Sequence, residues 1–149
     1  NKYNAYSSFI ILLTLEWKGW RINPLVCYDL RFPVFARNRY DVERAGQLDF
    51  DLQLFVANWP APRAYAWKTL LRARAIENLC YVAAVNRAGT DGNGHVYSGD
   101  SAVIDFLGQP VVELLAGEGV VTTTISAEAL VAHREKFPAM LDADRFELR

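Results

Sequence analysis

Cys27 stands where an apolar segment gives way to a turn, which is a suitable setting for a nucleophilic thiol. It follows the apolar residues 22–26, and residues 28–33 turn the chain toward a predicted helix. The helix dipole and free backbone N–H groups at a helix N-terminus favour a thiolate. The same N–H groups could hold the oxyanion that forms after attack on a carbonyl or nitrile carbon. On these residues alone, an inert cysteine of the core is the more common case.

The other residues that could join such chemistry give weak signals. His95 lies in a glycine-rich turn and His133 on the polar face of a predicted helix, so we expect both at the surface rather than paired with a thiol. The separation of Cys27 and Cys80 fits no metal site. The glycines near residue 92 belong to a predicted hairpin, not to a phosphate-binding loop. The sequence therefore indicates no metal and no cofactor.

The hydrophobic pattern predicts a mixed α/β fold that would position Cys27 at a strand end. A helix at 63–79 has the clearest 3.6-residue period, and Ser126 is a plausible N-cap for a helix ending near Lys136. Residues 91–94 form a strong turn signal. The further expected elements are strands at 20–26, 47–57 and 80–85, a hairpin of 101–106 with 110–115, a β-rich stretch at 120–125, a helix at 33–40 and an irregular tail at 137–149. In the strand at 47–57, Leu48, Phe50, Leu52 and Leu54 are expected to share the apolar face.

Composition bounds the class of protein. The 149 residues are enough for one domain, and the hydrophobic fraction of 52% excludes a disordered chain. A formal net charge of −1 offers no broad attraction to nucleic acid or to an anionic membrane. Two cysteines cannot form a disulfide-rich scaffold, and the apolar run at 9–13 is too short for a bilayer span, so a cytoplasmic location is expected. Two or three helices cannot cover about six strands, so one sheet face should stay exposed.

Four motifs in order resemble the carbon–nitrogen hydrolase, or nitrilase, superfamily. Residues 27–33 (CYDLRFP) are similar to its nucleophile motif, and residues 54–60 to the strand and loop that follow. Residues 72–78 resemble the helix before the next strand, and residues 97–105 a late glycine–serine hairpin. The resemblance covers about residues 16–149, leaves residues 1–15 unmatched, and is closest to the omega-amidase-like branch.

This resemblance implies a fold and a reaction. The chain would be a single partial domain, the later half of a four-layer α–β–β–α sandwich. Cys27 would attack a small amide, forming a thioacyl enzyme and releasing ammonia and then a carboxylic acid. The backbone N–H of Tyr28 would hold the oxyanion, and Asn58 and Trp59 would line the substrate site. The family's catalytic Glu and Lys have no counterpart in this chain, so the 149 residues alone should be inactive.

The resemblance also bears on packing and assembly. Four charged or amide side chains should form a hydrogen-bonded frame behind the nucleophile, because buried charges need partners; they are Arg31, Arg74, Glu77 and Asn78. Cys80 should be inert core. The late region, residues 137–148, would pack across a two-fold axis, which makes a homo-oligomer the expected state. The partners implied are a small-molecule amide and a second copy, without nucleic acid or membrane.

Two alternatives stay open at this point. The chain could be an inactive remnant or binding module that keeps Cys27 without the catalytic Glu and Lys. It could also be an interaction protein whose cysteine has a redox or packing role. Within the hydrolase interpretation, amide and nitrile substrates share the same nucleophile motif, so the sequence does not separate them.

Overall fold

The computed structural model of this chain describes residues 13–41, 47–115 and 117–144. In chain order the strands are β1 (Leu15–Trp17), β2 (Trp20–Val26), β3 (Tyr40–Asp41), β4 (Gln47–Leu48), β5 (Leu52–Ala57), β6 (Tyr81–Asn86), β7 (Ala88–Thr90), β8 (Val96–Ser98), β9 (Ser101–Ile104) and β10 (Pro110–Leu114), and the α-helices are α1 (Ala64–Glu77) and α2 (Ala127–Lys136). Short 3₁₀ helices cover Cys27–Arg31, Ala61–Arg63 and Ala139–Asp142.

A six-stranded sheet in the order β1-β2-β5-β6-β9-β10 organises the fold. β2, β5 and β6 run parallel, whereas β1, β9 and β10 join antiparallel. Because β2, β5 and β6 are parallel neighbours, their carboxyl ends meet at one edge, which is where Cys27 and the loop after β5 lie. The predicted α/β class is confirmed. The hairpin around Gly108 and the helix predicted at 63–79, which is α1, are also confirmed.

Helix α1 lies on one face of the sheet, and this pairing forms the core. Apolar side chains from β2, β5, β6 and β9 meet α1 residues Trp67, Leu71 and Ala75, all of them buried. The strand members of this core are Leu25, Phe55, Ala57, Val82, Ala84 and Ile104. Burying this much apolar area is the main favourable term that holds α1 on the sheet.

The opposite face carries a row of exposed valines. Val26, Val56 and Val85 are directly aligned across β2, β5 and β6 and are 65, 62 and 62% exposed. The next row, formed by Pro24, Leu54 and Ala83, is half-buried. The expected uncovered face is thus present within the described residues, and it borders the carboxyl edge that carries Cys27.

The helix expected at 33–40 is wrong. Only one turn forms, with the Ala36 N–H donating to the Phe32 carbonyl at 3.0 Å. Beyond it, the side chain of the buried Asn38 donates to the Phe50 carbonyl at 2.8 Å, and its backbone N–H donates to Asn78 Oδ1 at 2.9 Å. Because these distant partners satisfy the polar groups in a non-helical conformation, the helical turn is not continued.

The strand expected at 47–57 is interrupted, and its apolar face was assigned wrongly. Residues 49–51 break it into β4 and β5, which shifts the alternation by one position. In β5 the core face carries Gln53, Phe55 and Ala57, while Leu52 and Leu54 lie on the other face. Gln53 is tolerated there because its side-chain amide donates to Asn23 Oδ1 and to the Ala36 carbonyl.

The C-terminal part follows the sequence pattern only partly. The predicted cap of α2 is confirmed, since the Ser126 hydroxyl accepts the Ala129 N–H at 3.1 Å. The β-rich stretch at 120–125 forms no strand, and Val120 is almost fully exposed, because the sheet already ends at β10. In the tail, Phe137 and Leu141 are exposed, residues 145–149 lie outside the described residues, and pairing of two copies through this region stays a prediction. No helix in the described ranges is long and apolar enough to cross a bilayer.

An ion-pair network ties α2 and β2 to the start of β5. Asp51 accepts from Arg21 Nη2 at 2.7 Å and from Arg134 Nη1 at 2.6 Å. Burial alone would raise the pKa of the Asp51 carboxyl. The hydrogen bonds and charges of the two guanidinium groups outweigh burial and lower that pKa below its ordinary value of 3.8.

Acid should therefore remove the stabilisation that this network supplies. Because the folded-state pKa of Asp51 is the lower one, its contribution is present above about pH 4 and is lost as the pH falls through the folded pKa. We expect Asp51→Asn to lower the free energy of unfolding at pH 6, and the difference from the unaltered chain to shrink below about pH 4. Urea unfolding at pH 3–6 measures this. A difference that stays constant over that range would contradict the ion-pair account.

Candidate active site

Cys27 occupies a sharp turn between β2 and a 3₁₀ helix. β2 ends at Val26, and the 3₁₀ helix Cys27–Arg31 begins at the cysteine itself. The φ angle of Cys27 is +42°, in the left-handed region that side chains other than glycine rarely adopt. Such a conformation costs about 1 kcal/mol or more, so the surrounding contacts must hold it. Strained backbone of this kind is typical of functional sites.

Contacts on both sides of Cys27 fix this turn. The Asp29 carboxylate accepts the Val26 N–H at 2.8 Å, which joins the end of the strand to the first turn of the 3₁₀ helix. Leu30 is fully buried in the core, and its carbonyl accepts from Arg74 Nη2 at 2.6 Å. The thiol is therefore presented by a turn that is anchored from behind.

The expected frame behind the nucleophile is formed by α1, without Arg31. Arg74 is buried and also pairs with Glu77 at 2.6 Å. Asn78 donates to the Ala36 carbonyl and accepts the Asn38 N–H. Arg31, expected in the same frame, is instead exposed and lies over the ring of Trp59, with its guanidinium carbon 4.8 Å from the ring centroid. Because it follows Leu30 in the 3₁₀ helix, its side chain leaves on the solvent side.

A cleft of about 390 Å³ opens in front of Cys27 at the carboxyl ends of β2 and β5. Its size suits a small molecule. Seven residues line it: Cys27, Tyr28, Arg31, Asn58, Trp59, Pro60 and Arg63. The sulfur of Cys27 lies 4.0 Å from the Asn58 carbonyl oxygen. The four residues expected to contribute the nucleophile, the oxyanion donor and the substrate contacts are thus brought together.

Trp59 forms a fixed wall of the cleft because Asn86 holds its backbone. Asn86 Oδ1 accepts the Trp59 N–H at 2.7 Å, and its Nδ2 donates to the Trp59 and Gly99 carbonyls. Ser101 in turn supports Asn86, because its hydroxyl accepts the Asn86 N–H at 3.0 Å. Asn86 was not predicted as part of the site, although a polar residue directly after the apolar strand 80–85 is a usable signal.

The indole of Trp59 is held as firmly as its backbone. Its Nε1 donates to the Arg63 carbonyl at 2.8 Å, and its ring lies 5.5 Å from the buried ring of Trp67. Arg63 was not predicted as part of the site; the signal was a cation at the first position of the helix expected at 63–79. Both arginines of the cleft therefore contact Trp59, Arg31 through the ring face and Arg63 through its carbonyl.

The first turn of the 3₁₀ helix supplies donors next to the sulfur. The N–H groups at the start of such a helix have no partner inside it, and that of Tyr28 is among them. A donor there can stabilise an oxyanion. The Tyr28 side chain is mostly exposed and meets the Phe32 ring edge-on at 5.2 Å, so its backbone is the part available for chemistry.

The second cysteine has a different environment. Cys80 is completely buried between α1 and β6, and burial raises the pKa of its thiol far above the ordinary range. A buried thiol with a raised pKa is a poor nucleophile. Its expected role as inert core is therefore supported by its surroundings.

In the described part of the chain the carboxylate nearest to Cys27 in sequence, that of Asp29, accepts the Val26 N–H, and neither histidine lines the cleft. His95 lies exposed in the turn between β7 and β8, and His133 stacks on Phe106 at 4.6 Å, where burial and then the charge of Arg134 lower its pKa. Among the described residues that line the cleft there is no glutamate, aspartate or lysine. Lys18 lies over the Trp17 ring, and Glu43 lies outside the described residues. Nor do the residues at 13–41, 47–115 and 117–144 bring together three metal-ligating side chains.

Comparison with known proteins gives a consistent family. The carbon-nitrogen hydrolase family pattern matches residues 11–135. "Omega-amidase YafV" of Yersinia enterocolitica is 53% identical over 135 residues, covering 90% of this chain and 50% of that protein. "2-oxoglutaramate amidase" of Bacillus subtilis is 37% identical over 127 residues, covering 85% of this chain and 46% of that protein. The chain spans about half the length of these curated relatives.

A solved structure has the same fold. The crystal structure of XC1258 from Xanthomonas campestris superimposes with a TM-score of 0.89 at 78% identity, over 92% of this chain and 52% of that one. It is described as a CN-hydrolase superfamily protein with an arsenic adduct in the active site. The α/β architecture described above is therefore that of nitrilase-superfamily structures.

Proposed function

This chain belongs to the carbon-nitrogen hydrolase family, and from that premise we propose that Cys27 is the nucleophile of an enzyme that hydrolyses small amides. The observation that carries the proposal is the position of the thiol, held with a positive φ at a helix start and open to a cleft. A purely structural cysteine needs neither the unusual backbone nor the access. Cys80 shows the contrasting case within the same chain.

The proposed reaction proceeds in two steps. A general base takes the thiol proton while the sulfur of Cys27 attacks the amide carbon, and the Tyr28 N–H donates to the oxyanion. The C–N bond then breaks, and the nitrogen takes the proton from the base. Ammonia departs, and a thioester remains on Cys27. Water attacks the thioester with the help of the same base, which releases the carboxylic acid and returns the thiol.

The base and a lysine that assists at the oxyanion are proposed to come from beyond the described residues. We infer that the chain acts as the later half of a single hydrolase domain whose relatives are about twice as long. The exposed row of Val26, Val56 and Val85 supports this, because it offers an apolar surface for a second layer beside the nucleophile. Below, "complete domain" means this chain together with the residues that complete the domain in its relatives.

The substrates proposed are ω-amides of small dicarboxylic acids. The names of relatives at 53 and 37% identity support this class, since one is an omega-amidase and one a 2-oxoglutaramate amidase. The cleft of about 390 Å³ is compatible with a short substrate. We propose amides rather than nitriles because both of these relatives are named as amidases.

Ammonia release from the complete domain tests the proposal. We expect turnover of 2-oxoglutaramate and succinamate, and none of 3-cyanopropanoate, the nitrile that corresponds to succinamate. A coupled assay for ammonia, with mass spectrometry of the thioester trapped by rapid acid quench, measures both steps. No release from any amide would favour the inactive remnant, and release from the nitrile alone would favour a nitrilase.

A further inference from the structure

The arginines of this chain differ in their partners. Within the described ranges, ion pairs with carboxylates are formed by Arg21, Arg39, Arg72, Arg74 and Arg134. Arg31 and Arg63 form no ion pair with any carboxylate in the described ranges, and both line the cleft of Cys27. Two guanidinium groups that no described carboxylate pairs with therefore lie beside Cys27. In a chain with a net charge of −1, this is a local excess of positive charge.

Trp59 contacts both of these arginines. The guanidinium of Arg31 lies over the Trp59 ring, and Trp59 itself is only 3% exposed and fixed by Asn86. The backbone carbonyl of Arg63 accepts the Trp59 indole N–H, which fixes the Arg63 backbone beside the same ring. Stacking on an aromatic face leaves the N–H donors at the guanidinium edge available for a ligand.

We propose, resting on the amide hydrolysis inferred above, that Arg31 and Arg63 bind the free carboxylate at the far end of the substrate. A planar guanidinium matches a carboxylate with two parallel hydrogen bonds, which gives orientation as well as affinity. The amide carbon is then directed to the sulfur of Cys27. These two residues would thus select ω-amides that carry a carboxylate over neutral amides of equal length.

Alkylation of Cys27 by two reagents of similar size tests the inference on the full chain. N-Iodoacetylglycine and N-iodoacetylglycinamide share a leaving group, but only the first is anionic. Its carboxylate is as many bonds from the reacting carbon as the carboxylate of 2-oxoglutaramate is from the amide carbon. With the ratio of the two rates for glutathione as the reference, we expect the ratio at Cys27 to favour N-iodoacetylglycine by about tenfold. Peptide mapping by mass spectrometry follows Cys27 and Cys80 separately, and Cys80 should stay unlabelled in the folded chain.

Substitutions then assign the preference to the two arginines. Arg31→Gln and Arg63→Gln should each lower the preference for N-iodoacetylglycine several-fold, and the double variant should match glutathione. Arg63→Lys should retain only part of the preference, because an ammonium group keeps the charge without the planar pair of donors. Arg39→Gln is the matched control, since Arg39 is exposed and paired with Asp49 away from the cleft.

The outcomes separate this inference from the proposed function. Alkylation needs no general base and no amide turnover, so its result stands whether or not ammonia is released. The rate with N-iodoacetylglycinamide reports whether each variant keeps an accessible Cys27. A preference for N-iodoacetylglycine that is absent in the unaltered chain, or equal in Arg39→Gln and the double variant, would overturn the carboxylate site.

Discussion

Replacing Cys27 with alanine in the complete domain is expected to lower the rate of ammonia release by about a thousandfold or more. The thioester cannot form without the sulfur, and water in the cleft must then attack the amide directly. Cys27→Ser should lose nearly as much, because a hydroxyl is far less ionised than a thiol at neutral pH. The measurement is kcat for 2-oxoglutaramate under saturating substrate.

Cys80→Ala is the control for this prediction. The Cys80 sulfur contacts the core and reaches the Arg74 carbonyl at 4.0 Å, so its removal should cost about 1 kcal/mol of stability and leave turnover in place. Thermal unfolding of both variants separates lost chemistry from lost structure. Turnover that survives Cys27→Ala would remove the nucleophile assignment and with it the reaction written above.

The sequence was sufficient for the elements with strong local signals. The period of α1, the Ser126 cap and the hairpin around Gly108 depend on residues within a few positions of each other. The convergence of Cys27 with Asn58 was also predictable, because adjacent parallel strands end at the same sheet edge. The assignment of Cys27 as the proposed nucleophile required the family resemblance, since its residue type and position also fit a core cysteine.

The parts that the sequence did not predict depend on partners far away in the chain. The turn at 33–36 ends because the Asn38 N–H donates to the side chain of Asn78, 40 residues later in the chain. Asn86 holds Trp59 across 27 residues, and no local pattern marks such a pair. Arg31 was assigned to the frame because buried charges need partners, but its neighbour Leu30 takes the buried position and sends Arg31 to the cleft.

The 149-residue chain alone is expected to release no ammonia above background from 2-oxoglutaramate. Its described cleft offers the Cys27 thiol, a backbone donor and two arginines, but neither a carboxylate nor a lysine. A positioned base and one oxyanion donor are each worth about a hundredfold or more, so their joint absence should reduce turnover by about 10⁴-fold or more. The measurement compares the chain and the complete domain at equal concentration in the same ammonia assay.

This inactivity should not come from a misfolded site. The full chain should still alkylate at Cys27 and not at Cys80, because labelling depends on access to the thiol rather than on the base. Folded, selectively labelled and inactive is therefore the expected combination. Turnover by the chain alone that disappears in Cys27→Ala would instead mean that this chain supplies its own base. Glu43, which lies outside the described residues, would then be the first side chain to replace with glutamine.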